Sequence, residues 1–132
     1  MSFEPPSRSR APIVWVLEPE GEFDYSPAKV FGDEIRPISG GKLSPNADAD
    51  WHFRAIRQMR YAFIDYIPGI DFVIPTGRPV RMMLAAMVMR ERGEQHKLLG
   101  WDNKTRRYLM YDLDLRHGRP DRLPTTAFTH RV

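Results

Sequence analysis

The sequence predicts a small α/β domain: a mixed sheet of about four or five strands, two longer helices and a C-terminal β-hairpin. Three observations carry this. Short apolar runs alternate with helix-length segments, the pattern of strands joined by crossovers. Gly69 to Leu115 passes from an apolar strand through Pro75-Thr76-Gly77-Arg78-Pro79 into an apolar helix and then a hairpin. With 132 residues, 42% of them hydrophobic, the chain is long enough for one core and too short for two.

Residues 1–11 hold Pro5, Pro6, Arg8 and Arg10 but little to bury, and are expected to form a disordered basic arm ahead of a domain spanning 12–116. Ile13 to Leu17 is apolar at every position and reads as an internal strand, buried on both faces. Residues 19–25 read as a polar loop. Ser26-Pro27 starts a short helix, which Gly32 limits. Glu34 to Ile38 reads as an edge strand because Pro37 cannot donate to a ladder. Residues 39–47, with Gly40, Gly41, Pro45 and Asn46, form a loop.

Asp48 or Asp50 caps a helix running to about Tyr66, with Ala55, Ile56, Met59, Phe63 and Ile67 at helical spacing toward the core and Arg54, Arg57 and Arg60 on another side. Pro68-Gly69 ends it. Ile70 to Ile74 is the next strand, and Pro79 opens a helix to about Arg92 that is apolar on every side, as a fully buried helix would be. Lys97 to Trp101 and Arg107 to Leu115 form the hairpin. Alternation in the second strand assigns Leu109, Tyr111, Leu113 and Leu115 to the core face, and Tyr108, Met110, Asp112 and Asp114 outward. Residues 117–132, with Gly118, Pro120 and Pro124, read as an extended tail.

Composition bounds the function. The net charge of +3 and pI near 9.4 favour an anionic partner without demanding one. Only Lys29, Lys42, Lys97 and Lys104 are lysines; the other basic residues are arginines, whose planar forks suit phosphate, although a GC-rich genome gives the same bias. With no cysteine, thiol catalysis and thiolate metal sites are excluded. No apolar run reaches spanning length and no signal-peptide pattern opens the chain, so a cytoplasmic protein with no membrane role is expected.

Two places carry candidate chemistry. Thr76, Gly77 and Arg78 lie between a strand and a helix N-terminus, where free N–H groups and an arginine can hold a phosphate; an ordinary turn explains the same residues, and no nucleotide fingerprint is present. Lys104, Arg106, Arg107 and Tyr108 on the hairpin combine cations with a ring that could stack a single-stranded base; a solubilising turn explains these equally. Asp112 and Asp114 share a strand face without a further metal ligand nearby. His52, His96, His117 and His130 are scattered, and Ser26 lacks a nucleophile elbow. The expectation is a non-enzymatic binding module, using no cofactor, for nucleic acid or a phosphorylated ligand. The alternatives are a protein-interaction or inhibitor module and a small enzyme using the Thr76-Gly77-Arg78 turn.

Overall fold

The computed structural model describes residues 10–38 and 48–118; most of the N-terminal arm, the loop at 39–47 and most of the expected tail lie outside the described residues. The elements are β1 (Ile13–Val16), a 3-10 helix (Ser26–Val30), β2 (Glu34–Pro37), α1 (Ala49–Ala62), β3 (Phe72–Ile74), α2 (Pro79–Arg92), β4 (Gln95–Asp102) and β5 (Arg107–Asp114). They build the expected mixed sheet, in the order β2-β1-β3-β4-β5, with β5 antiparallel to β4 and all other pairs parallel. No described helix is long and apolar enough to cross a membrane.

β1 lies between β2 and β3, which is why all four of its residues are buried. Ile13, Trp15 and Leu17 point to a core shared with Met59 of α1, with Phe63 just after it, and with Ala85, Val88 and Met89 of α2. Val14 and Val16 point the other way, toward Ala28, Phe72, Ile74, Leu99 and Tyr108. Both long helices therefore cover one face of the sheet, and the 3-10 connection crosses the other. The winding reverses between β1 and β3, so the chain parts at their carboxyl ends and leaves a crevice there.

Local chemistry explains the element ends. The Asp48 carboxylate accepts from the Trp51 N–H at 2.8 Å and caps α1. At the other end of α1, Arg92 of α2 donates to the carbonyls of Phe63 and Tyr66, so a cation satisfies groups that the helix leaves open. β3 is shorter than the apolar run implies because Ile70 and Asp71 both donate their N–H groups to the Ile67 carbonyl.

Two sequence expectations are corrected. α2 is not buried all round: Val80, Met83 and Met87 are 64–68% exposed, while Arg81 is buried. A helix lying on a sheet hides one stripe, here Arg81, Ala85, Val88 and Met89, and no second layer covers its outer side among the described residues. β5 also departs from the expected burial, with Tyr108 hidden on the face expected to point outward, while Met110 and Asp112 on that face are exposed as expected. Tyr108 is only 5% exposed, whereas Tyr111, Leu113 and Leu115 are about half exposed. The alternation is right, but α1 and α2 do not reach over β5; the 3-10 connection instead packs against its first residues from the opposite face.

Asp71, fully buried at the amino end of β3, joins four parts of the chain. Its carboxylate takes both guanidinium nitrogens of Arg10, the Ile13 N–H at 2.9 Å, the Trp15 indole N–H at 3.0 Å and the Ile67 N–H at 3.0 Å. Burial pushes this carboxyl up, but the Arg10, Trp15, Ile13 and Ile67 donors together outweigh burial and hold it below its ordinary value. Nearby, the Tyr66 hydroxyl lies 2.6 Å from His96 Nδ1, and His96 Nε2 lies 2.8 Å from the Gly93 carbonyl, which fixes the ring with its proton on Nε2.

A depressed native pKa stabilises the fold above the unfolded carboxylate value, about 3.9, and that stabilisation is lost as pH falls through the lower native value. Asp71→Asn should therefore lower unfolding free energy at pH 7 by about 3 kcal/mol or more and flatten its acid dependence. Urea titrations between pH 2 and 7 test this; parallel pH profiles for the two proteins would remove Asp71 as the origin of the acid sensitivity.

Candidate functional site

At the carboxyl ends of β1 and β3, Glu18 links the first strand to the start of α2. Thr76 Oγ1 donates to the Glu18 carbonyl at 2.7 Å and accepts from the Glu18 N–H at 3.2 Å. The Glu18 carboxylate accepts from the Arg78 N–H at 3.1 Å and lies 3.8 Å from Arg81 Nε. Gly77 has φ +108°, and a Cβ there would collide with the Glu18 carboxylate. The Thr76-Gly77-Arg78 turn thus closes around an internal carboxylate, and a phosphate at this helix N-terminus would meet Glu18.

Beside this turn, on the sheet face away from the long helices, is a cavity of about 210 Å3. Its walls include Phe23, Tyr25, Trp101 and Tyr108, with Thr76 and Glu20 at its polar side. The rings brace one another: Phe23 packs on Tyr25 with centroids 4.9 Å apart, and Trp101 packs edge-on against Tyr108 at 5.1 Å. Tyr25 is fixed by the Glu20 N–H, which donates to its hydroxyl at 2.9 Å. The Tyr108 hydroxyl is buried and has no hydrogen-bond partner among the described residues. Burial, followed by Tyr25 and Asp24, pushes it up to about 12, so it stays protonated at neutral pH.

Lys104, Arg106 and Arg107 are exposed together at the hairpin tip, as the sequence implies. Asp102 folds that tip by accepting from the Lys104 and Thr105 N–H groups, and Arg106 takes the left-handed conformation, φ 53°. Tyr108 is not beside them on the outer surface; it forms part of the cavity wall, so the expected stacking platform is withdrawn. The signal for the cavity was two aromatic residues, Phe23 and Tyr25, within an otherwise acidic loop read only as polar.

Asp112, Asp114 and His96 have structural partners, and His130 lies outside the described residues. Gln95 donates to Asp112, Arg116 holds Asp114, and no cluster able to hold a metal occurs among the described residues. A larger cavity, about 590 Å3, lies at the amino ends of the strands and includes Arg10, Arg36 and Arg92 in its lining. Each is engaged: Arg10 with Asp71, Arg36 with Glu34 and over the Trp15 ring, and Arg92 with the α1 carbonyls.

Gly77→Ala should cost about 1–3 kcal/mol, because it forces a side chain into positive φ and into Glu18. Gly21→Ala, where an added Cβ meets nothing within 4 Å, should change stability by less than about 0.5 kcal/mol. Chemical denaturation of both variants checks the contrast, and equal stabilities would mean that the Glu18 contact does not shape the turn.

No curated protein and no solved structure matches the chain. The family described as Phage Pam3 gp32-like protein matches residues 16–115, from the end of β1 to the residue after β5. That span contains both sides of the crevice, the cavity and the hairpin, and the chain belongs to the Phage Pam3 gp32-like protein family.

Proposed function

We propose that this protein is a non-enzymatic binding module whose main partner is another protein, docked on the face formed by α2 and β5. The observation that carries this reading is the apolar surface left uncovered there. Val80, Met83 and Met87 form an exposed stripe on α2, and Tyr111, Leu113 and Leu115 stand half exposed on the same side of the sheet. Between the helix and β5 is a cavity of about 200 Å3 whose walls include Met82, Ala86, Met89, Leu98, Leu113 and Leu115. Large apolar side chains gathered on one face favour burial against a complementary partner, and methionines adapt to its shape. A partner that lays an apolar helix along this groove satisfies its geometry.

Nucleic-acid binding at the hairpin is the second reading, supported by the shared exposure of Lys104, Arg106 and Arg107. It is weakened by the burial of Tyr108 and by the acidic loop next to the hairpin, where Phe23 touches Trp101.

Because Met83 and Met87 are exposed, the double variant Met83→Asp/Met87→Asp should fold with a stability within about 1 kcal/mol of the parent. A photo-crosslinking residue at Met87, in the native host, should give a discrete protein adduct that a second substitution at Leu113 removes, while one at Lys29 on the opposite face gives none. A folded protein without an adduct from Met87 would end this reading. Replacing Lys104, Arg106 and Arg107 together tests the alternative: binding to a labelled single strand must weaken and lose much of its salt dependence if the hairpin neutralises phosphates.

A further inference from the structure

The cavity beside the Thr76 turn lies on the opposite side of the sheet from the α2 and β5 surface, so its chemistry is independent of the protein-docking reading. We propose that it is a binding site for an organic ammonium group, held against Phe23, Tyr25 and Trp101, with Glu20 as counter-charge and Tyr108 Oη accepting an N–H.

Four observations converge. The lining includes four aromatic rings, whose negative faces attract a cation that sheds part of its water. The loop from Leu17 to Ala28 carries Glu18, Glu20, Glu22 and Asp24 and no lysine or arginine. Glu18 is committed to Arg78 and Arg81, and Asp24 to Ser26, whereas Glu20 lies at the cavity itself. Tyr108 provides the polar group that the surrounding fold leaves unpartnered: it is 95% buried, by its 5% exposure, and its hydroxyl oxygen can accept from an ammonium N–H.

Size and position add selectivity. A cavity of about 210 Å3 is smaller than the roughly 300–1,000 Å3 of drug-sized ligand sites, so it takes one head group or one side-chain end. It lies at the carboxyl end of β3, beside the crevice at which the winding of the sheet reverses. The Glu18 carboxylate occupies the adjacent helix N-terminus, and with the acidic loop it disfavours a phosphate. The ammonium group can belong to a free amine or to a lysine side chain, because the same rings and carboxylate serve both.

The test uses the full chain and the Trp101 indole N–H resonance, titrated at constant ionic strength with methylammonium, tetramethylammonium, acetyl-lysine-methylamide, inorganic phosphate and adenosine. Methylammonium and the lysine derivative should give saturable shifts at Trp101 and the Tyr108 ring, and phosphate and adenosine should not. Tighter binding of the lysine derivative points to a side chain as the source, and tighter binding of methylammonium points to a free amine. Glu20→Gln should weaken methylammonium binding by roughly threefold or more. Tyr108→Phe keeps the ring and should weaken methylammonium but leave tetramethylammonium, which has no N–H, within about twofold. Absence of saturation by every ammonium probe, or equal response to phosphate or adenosine, overturns the assignment. Failure here leaves crosslinking from Met87 unaffected, and failure of that crosslinking leaves these shifts unaffected.

Discussion

The fold depends on a buried carboxylate that is charged and fully engaged. Asp71 receives a guanidinium, an indole and two backbone N–H groups, and these donors come from three stretches of chain: Arg10 before β1, Ile13 and Trp15 within it, and Ile67 after α1. Removing a carboxylate from water costs several kcal/mol, which only this many donors offsets. The site therefore fixes how β1, β3 and the end of α1 meet. Other arrangements of the same apolar strands leave the charge exposed to hydrocarbon without its donors.

A second carboxylate acts at the opposite end of the same strand pair. Glu18 leaves β1, reaches over Gly77 and accepts the Arg78 N–H, so the start of α2 is tied to the end of β1. The glycine is required by that close approach and by its positive φ. The resemblance to an anion-binding turn is thus physical: the turn does hold an anion, and the chain itself supplies it.

The unequal covering of the sheet leaves an apolar surface on one side and an aromatic cavity on the other. α1 and α2 lie on one face over β1 and β3, leaving the neighbouring face of β5 and the outer stripe of α2 apolar and exposed. On the other face a short 3-10 connection and an aromatic loop cover the sheet incompletely, and the cavity remains between that loop and the start of β5. A longer helix between β1 and β2 would fill this space with side chains. Gly32 sits against the Pro12 carbonyl, with room for no Cβ, and marks how closely that short connection passes beneath the strand.

The sequence alone determined the order and type of the elements. Apolar runs bounded by proline and glycine mark β1 and β3, Pro37 places β2 at an edge, the Asp48 cap and the spacing of Ala55, Met59 and Phe63 mark α1, and Pro79 marks the start of α2. These are local signals, set by neighbours a few residues apart. The cationic cluster of Lys104, Arg106 and Arg107 was legible for the same reason. Only the tertiary structure decided which face of β5 is buried, because alternation gives two equivalent faces and the choice lies with whatever packs on them. It also decided that Met83 is exposed and Arg81 hidden, since an apolar helix does not state how many layers will cover it. The Asp71 and Glu18 sites join residues up to 61 positions apart, and the Tyr108 cavity joins residues farther apart still, separations over which no spacing rule operates.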